Sequence, residues 1–169
     1  MFCVLYFGTY AIIGLASPAF YYSPFVDKYL DYVSGLKNTL LYSTAFLLSL
    51  FHIPTEILPG FIIKISGGKG VIVAQSCVGI GVYSFWIAFV AANKGSFWRK
   101  VKWIFGGLLS LWFINDVRIT LFLLAVNKGW PNPLGMDHHT WFNIFAYLLI
   151  FVLIWWYDKK SKILENKTK

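Results

Sequence analysis

The sequence predicts an all-α polytopic membrane protein with about five transmembrane helices and a short extracytoplasmic β-hairpin. Of its 169 residues, 58% are hydrophobic and only 13% are charged, whereas soluble domains are about 45–50% apolar and about 25% charged. Many Trp and Tyr residues lie at the ends of apolar runs, where the membrane interface favours amphipathic rings. Lysine and arginine fall between these runs and in the tail, so the net charge of +8 does not predict a nucleic-acid partner.

The apolar runs set the number of spans. A helix needs about 20 mostly apolar residues to cross the hydrocarbon core, and five stretches meet or approach this length: residues 2–22, 39–58, 78–92, 101–126 and 140–157. The first run is long and lacks a basic start, so no cleavable signal peptide is expected. We therefore expect one integral-membrane domain over residues 1–169, with the lipid bilayer as its partner.

Residues 61–75 predict the hairpin. Residues 61–65 and 71–75 are rich in β-branched side chains, and the segment Ser-Gly-Gly-Lys-Gly between them is typical of a turn. The strands are too short to span a bilayer, so we expect them at its surface. A free strand edge can bind an extended peptide, which makes the hairpin either a substrate clamp or a lid over the helix ends.

The distribution of lysine and arginine predicts the orientation. With the tail in the cytoplasm, eleven of these residues lie inside: Lys28, Lys37, Lys94, Arg99, Lys100, Lys102, Lys159, Lys160, Lys162, Lys167 and Lys169. Three lie outside, Lys64, Lys69 and Lys128, and the fifteenth, Arg118, lies within a span. Positive residues are concentrated on the cytoplasmic side of membrane proteins. The excess of eleven inside over three outside therefore predicts that the N-terminus, the hairpin and residues 127–139 lie on the extracytoplasmic side of the cell (inner) membrane.

Arg118 is the most informative single residue. It lies in an apolar run, eight residues before Val126, so we expect it about 12 Å below the outer end of its helix. A charge at that depth is costly and is usually functional. A structural ion pair with Asp116 or Glu56 is the alternative, but Asp116 is two positions away and points elsewhere, whereas Asn115 shares the face of Arg118.

Cys77 and two histidines lie on the same predicted side. Cys77 stands where the hairpin turns into the third span, and a helix start favours the thiolate form. Gly79 would allow another backbone to approach closely. His138 and His139 open the fifth span, and because neighbouring helical residues point about 100° apart, we expect one of them to face the site. Alone, Cys77 is more simply a packing cysteine and the histidines are interfacial.

Together these residues form a set for acyl transfer. A cysteine nucleophile needs a base to form its thiolate and an acid to protonate the leaving amine, and histidine supplies both. A guanidinium in a poorly solvated site stabilises the oxyanion of the tetrahedral intermediate. Three separate segments thus bring one reactive group each to the outer side.

These residues also resemble a known family. Over about residues 70–157, Cys77 and Gly79 in a Cys-x-Gly motif, Asn115 and Arg118 in an Asn-x-x-Arg motif, and a histidine opening the last span are similar in order to the exosortase/archaeosortase family. The resemblance implies a membrane-embedded cysteine peptidase or transpeptidase without a cofactor. Its partner would be an exported protein, whose C-terminal sorting signal it cleaves.

The resemblance also implies roles. Cys77 would be the nucleophile, Arg118 the partner of the oxyanion or substrate carbonyl, and His138 or His139 the acid and base, while we expect Asn115 and Gly79 at the substrate. Two departures stand out. Val78 replaces a small residue, and the glycine that usually follows the histidine by four is Phe142 counted from His138, or Asn143 counted from His139.

Two alternatives remain open from sequence. His52 and Glu56 are four residues apart and would share a helix face, so they could join His138 or His139 around zinc in a metal-dependent protease. Pro54 between them and the lack of a His-Glu-x-x-His motif argue against this site. The other alternative is a non-enzymatic membrane scaffold or export component, with a Cys3–Cys77 disulfide and an Arg118–Glu56 ion pair.

Overall fold

The computed structural model describes the backbone of residues 1–16, 23–131 and 138–166, and the side chains of these residues except 138, 139, 142, 146 and 161–166. The described part is mostly helical. Its helices are α1 (Phe2–Ala16), α2 (Pro24–Tyr29), α3 (Tyr32–Leu50), α4 (Gln75–Val78), α5 (Ile80–Ala92), α6 (Phe97–Lys128) and α7 (His138–Asn166). Between α3 and α4 lie three strands, β1 (Thr55–Leu58), β2 (Ile62–Ile65) and β3 (Gly70–Ile72).

Helices form the described parts of the first, third, fourth and fifth predicted spans and the N-terminal part of the second. Among the described residues, two helical segments are long and apolar enough to cross a membrane, namely Gln75–Ala92 and α6, and α1 is a shorter apolar helix. Residues 17–22, the end of the predicted first span, lie outside the described residues. The structure thus supports a helical membrane protein with two candidate spans among the described residues.

The predicted second span is wrong at its C-terminal end. Helix α3 ends at Leu50, and residues 55–58 form β1 instead of continuing the helix. Pro54 explains the change, because proline lacks the N–H of a helical hydrogen bond and forces the residue before it into an extended conformation. His52 adopts a positive φ of 59° and helps to turn the chain back.

The predicted hairpin is part of a three-stranded antiparallel sheet in the order β1-β2-β3. Thr55 is opposite Ile65 in the first pair of strands, and Ile62 is opposite Ile72 in the second. The turn between β2 and β3 contacts the end of α6, where the Asn127 side chain accepts a hydrogen bond from Lys69 N at 2.7 Å. The sheet therefore packs along the C-terminal part of α6.

The sheet also packs along α3. Buried Ile63 and Val73 of the sheet share one apolar core with Leu41 of α3 and Leu123 of α6, and the remaining buried members of this core are Leu40, Leu48 and Ile119.

This packing corrects one part of the predicted topology. The ammonium of Lys37 lies 4.5 Å from the ring centroid of Phe61, although the charge count places Lys37 inside and the hairpin outside. Two residues in contact cannot lie on opposite sides of a bilayer. Helix α3 consequently does not separate residue 37 from the sheet, and both belong to the same side.

Helix α1 runs toward the end of the molecule that holds the sheet and Cys77. Its Tyr6 is 3.4 Å from the position that a Cβ on Gly81 would take, and Ile13, two turns later, packs against buried Val78 and Val33. Since α5 runs away from Val78, α1 is antiparallel to α5, and the N-terminus points away from the cysteine turn, whereas the charge count placed both on the outer side. Together α1, α5, α6 and α7 form a bundle, and α3 and the sheet cover the end of it that holds Cys77.

Candidate active site

Cys77 lies in α4, a single turn that Gly79 separates from α5. Gly79 has φ 80° and ψ 29°, a left-handed conformation that costs glycine little and other residues more. The sequence placed Cys77 at the start of the third span, but the break at Gly79 leaves it on a turn of four residues. A turn this short builds little helix dipole, so Cys77 does not lie at the start of a long helix as the sequence predicted.

Asn115 of α6 holds this turn in place. Its side-chain amide donates to the carbonyl oxygen of Cys77 at 2.5 Å and to that of Val78 at 3.2 Å. In an unbroken helix these carbonyls would accept from residues four positions later, and an unpaired carbonyl inside a membrane protein costs several kcal/mol. Asn115, expected at the substrate, thus uses its amide nitrogen to fix the backbone of the cysteine turn.

Arg118 lies one turn after Asn115 and contacts α7. Its Nη1 donates to Oδ1 of Asn143 at 2.6 Å. Among the described residues, Arg118 has no carboxylate within ion-pair distance: Asp116 accepts from the Thr44 hydroxyl at 2.7 Å, and Glu56 pairs with Lys64 at 3.4 Å. Neither of the two structural ion pairs considered for Arg118 is therefore formed, and a neutral amide orients its guanidinium.

Cys77 and Arg118 line the same small cleft. It is bounded by Val71, Ile72 and Val73 of the sheet and by Ile119 and Phe122 of α6, and it holds about 10 Å³. That volume is close to the space one water molecule requires. The predicted nucleophile and the predicted oxyanion partner thus line one small pocket.

A larger cavity lies on the other side of the cysteine turn. It has a volume of about 260 Å³, and the polar residues that line it are Ser76, Tyr83, Asn115, Arg118, Asn143 and Tyr147. The Tyr83 hydroxyl is buried and has no hydrogen-bond partner among the described residues. Gly79 also lines this cavity, and it lines a neighbouring apolar cavity of about 460 Å³ between α1, α5 and α7.

The side chains of His138 and His139 lie outside the described residues. Their backbone begins α7, and Asn143, the partner of Arg118, follows in the second turn of the same helix. The helix start is thus about 7 Å along the axis from Asn143.

The features that supported the alternatives are absent from the described residues. Cys3 is exposed on α1, Cys77 is half-buried on α4, and both are free thiols. His52 follows α3 and Glu56 lies on β1, so they do not share a helix face as the metal site required. No group of three His, Cys, Asp or Glu side chains in the described residues could hold a metal ion.

Two contacts of this region were not predicted from sequence. Asn143 was noted only as a departure from a family pattern, although a polar residue in an apolar run, one turn after His139, was a usable signal. The bond between Thr44 and Asp116 joins residues 72 positions apart, and no local pattern indicates it.

Fold and site together define a helical membrane protein that carries a cysteine and an arginine in a shared cleft. The chain belongs to the transmembrane exosortase family, whose family model matches residues 3–156. This match confirms the resemblance found in the sequence, and membership indicates a membrane protein of the transpeptidase or protease type. No curated protein and no solved structure gives a significant match to the chain.

Proposed function

We propose that this protein is a membrane-embedded cysteine peptidase or transpeptidase that cleaves C-terminal sorting signals of exported proteins. Family membership supports the class of activity. The observation that carries the assignment of residues is the cleft of about 10 Å³ that Cys77 and Arg118 share. A substrate carbonyl oxygen has about the size of the water that such a cleft holds.

The chemistry follows from these groups. The Cys77 thiol loses its proton to a histidine, and the sulfur attacks the scissile carbonyl carbon, forming a C–S bond and an oxyanion. Arg118 stabilises this oxyanion. The intermediate collapses as the C–N bond breaks, and the histidine returns its proton to the leaving amine. Water or an amine then attacks the thioester, the C–S bond breaks, and the thiol is restored.

Of the two histidines, we assign the acid–base role to His139. Positions four apart on a helix share a face, so position 139 lies on the face of Asn143, which binds Arg118. His139→Ala should therefore lower turnover about 10²- to 10⁴-fold, and His138→Ala should lower it much less. Equal losses in both variants would contradict the assignment.

The nucleophile is tested with the two cysteines as a matched pair. An exported protein with a C-terminal sorting signal and a tag behind it is produced together with each variant, and release of the tag is followed. Cys77→Ala should abolish release, whereas Cys3→Ser should not change it. Release that persists in Cys77→Ala, or a Cys3–Cys77 crosslink in fresh membranes, would overturn the proposal.

We further propose that the cysteine turn, the sheet and α3 all face the extracytoplasmic side of the cell membrane. Moving Lys28 and Lys37 to that side changes the count of lysine and arginine from eleven against three to nine against five, which keeps the same orientation. In a background with Cys3→Ser and Cys77→Ala, Lys128→Cys and Asn38→Cys should react with a membrane-impermeant maleimide in intact cells. Lys162→Cys should not react.

Asn38 distinguishes this topology from the charge-based one, because residue 37 next to it was placed inside by the original count. Protection of Asn38→Cys together with labelling of Lys128→Cys would separate α3 from the sheet and contradict the topology proposed here.

A further inference from the structure

The sheet has one open edge that leads directly to the candidate nucleophile. Among the described residues, strand β3 pairs with β2 alone, and it ends at Ile72, five residues before Cys77. The strand lines the cleft that also holds Cys77 and Arg118. Strand β1 lies at the other edge, two strand spacings or about 10 Å away.

The hydrogen-bond alternation decides which groups of β3 face outward. In an antiparallel pair, opposed residues alternate between those that exchange hydrogen bonds and those that do not. Val73 N donates to Phe61 O at 2.8 Å, so the next pair, Ile62 and Ile72, is not hydrogen-bonded. The N–H of Ile72 therefore points away from β2, and the main chain of Gly70 does the same.

The same alternation of hydrogen-bonded and non-hydrogen-bonded residues applies to the pair β1–β2. Ser66 N donates to Pro54 O at 3.0 Å, so these two residues form a hydrogen-bonded pair. Counting along the strands from this pair, the N–H groups of Ile62 and Lys64 face β1. The N–H group of Ile63, which lies between them, faces β3. Ile57 of β1 consequently points its N–H outward at the far edge, as Ile72 does at the near edge. Both side chains are partly exposed, 37% for Ile57 and 60% for Ile72.

We propose that the outer edge of β3 binds the substrate as an added strand and delivers its scissile carbonyl into the cleft between Cys77 and Arg118. This inference rests on the proposed function. The ligand is an extended peptide segment recognised through its main chain, a mode in which backbone hydrogen bonds provide affinity and side-chain contacts provide selectivity. The outward N–H groups of Gly70 and Ile72 match such a segment, whereas the Ile72 carbonyl already accepts from Ala74 N at 3.0 Å. The cleft at the end of the strand matches one carbonyl oxygen.

The test uses a thiol-reactive peptide in place of the natural substrate. A tetra-alanine peptide ending in a vinyl sulfone forms a C–S bond when the Cys77 thiolate adds to its vinyl carbon, and the neighbouring carbon takes up a proton. The rate of Cys77 labelling by this probe is compared with the rate for N-ethylmaleimide, which has no peptide chain. The full-length protein in membranes is used throughout.

Ile72→Pro removes the outward N–H without removing a bond of the β2–β3 ladder, and edge strands tolerate proline in this position. We expect it to lower the labelling rate of the peptide probe about three- to tenfold, the value of one hydrogen bond, and to leave N-ethylmaleimide labelling within about twofold. Ile57→Pro is the matched control at the far edge and should leave both rates within about twofold. Ile72→Thr keeps the N–H and should behave in the same way as Ile57→Pro.

Changes in the probe test the same pairing without altering the protein. Replacing single amides of the peptide with esters removes one N–H at a time. The rate of Cys77 labelling should fall when the ester stands at every second position of the peptide and stay unchanged at the positions between. Equal effects of Ile72→Pro and Ile57→Pro, or ester effects without a period of two, would overturn the inference. A change in oligomer mass in Ile72→Pro with unchanged labelling would show that a second copy occupies the edge, and would overturn it too.

These outcomes are separate from those of the proposed function. Failure of the proposed function appears as substrate release that persists in Cys77→Ala. Failure of the edge inference appears with Cys77 still required and labelled, but with no dependence on the outward N–H of Ile72.

Discussion

Helix α6 is held by different forces in its two halves. The N-terminal half packs aromatic rings: Trp86 of α5, Trp103 of α6 and Tyr157 of α7 meet edge to face, with ring centroids 5.1 to 6.1 Å apart, and Trp86 also donates to Trp103 O at 3.1 Å. The C-terminal half adds polar bonds to its apolar contacts with α3 and the sheet: Asn115 bonds to α4, Asp116 to α3 and Arg118 to α7.

The difference separates stability from chemistry. Edge-to-face aromatic packing contributes area and shape but presents no reactive group. The polar half places three neighbouring segments with directional bonds around the cleft of Cys77. We therefore expect substitutions in the polar half to change turnover first, and those in the aromatic half to change stability first.

Among the polar contacts of α6, the largest effect is expected at Arg118. Arg118→Ala should lower turnover about 10²- to 10³-fold, since it removes the group that stabilises the oxyanion, while membrane abundance stays near normal. Arg118→Lys keeps the charge but loses the planar fork of donors, and should restore only part of the rate. The single-turnover rate of substrate cleavage measures both. If Arg118→Ala instead lowers the amount of protein in the membrane and keeps normal specific activity, Arg118 has a structural role. The two halves of α6 would then not differ in function.

The second effect concerns Gly107, in the aromatic half. A Cβ at this position would overlap the indole of Trp86, whereas a Cβ on the neighbouring Gly106 meets nothing within 4 Å. Gly107→Ala should destabilise the protein by about 1–3 kcal/mol through overpacking. Gly106→Ala should be neutral or stabilising, because alanine has the higher helix propensity. Thermal unfolding in detergent, followed by tryptophan fluorescence, compares the pair. Equal stabilities would show that the aromatic half tolerates added volume.

The smallest effect is expected at Asn143. Its bond orients Arg118 without contacting the reacting atoms, so Asn143→Ala should lower kcat about three- to tenfold, the value of one hydrogen bond, and leave KM nearly unchanged. Asn143→Asp should bind the guanidinium as an ion pair, which keeps its position but reduces the positive charge offered to the oxyanion. Its kcat should therefore fall as well, with unfolding unchanged or at higher temperature. A higher KM at constant kcat would indicate a direct substrate contact instead.

The sequence predicts what depends on local patterns. Apolar length revealed the helices at α5 and α6, and the rarity of an arginine within an apolar run singled out Arg118. The order of Cys77, Asn115 and Arg118 along the chain was enough to recognise the family. Each of these signals lies within a few residues of the feature that it predicts.

The parts that were missed depend on contacts between distant residues. The second span was extended through Pro54 to the apolar residues Ile57 and Leu58, and the pairing of this segment with β2 is visible only in the fold. Lys37 was counted as an inside charge because nothing near it in the sequence indicates Phe61. Likewise, the bonds from the Asn115 amide to the cysteine turn were not predicted, since they form only once α4 and α6 are side by side.

The bond between Thr44 and Asp116 has a consequence for synthesis in the cell. The two residues are 72 positions apart, and ribosomes add about 5–20 residues per second, so α3 and the sheet wait about 4–14 s for the helix that they pack against. During this interval the apolar core face of α3, with Leu41 and Leu48, has no α6 to cover it. We expect export chaperones or the translocation machinery to act on this segment first, before the cysteine turn has acquired its final position.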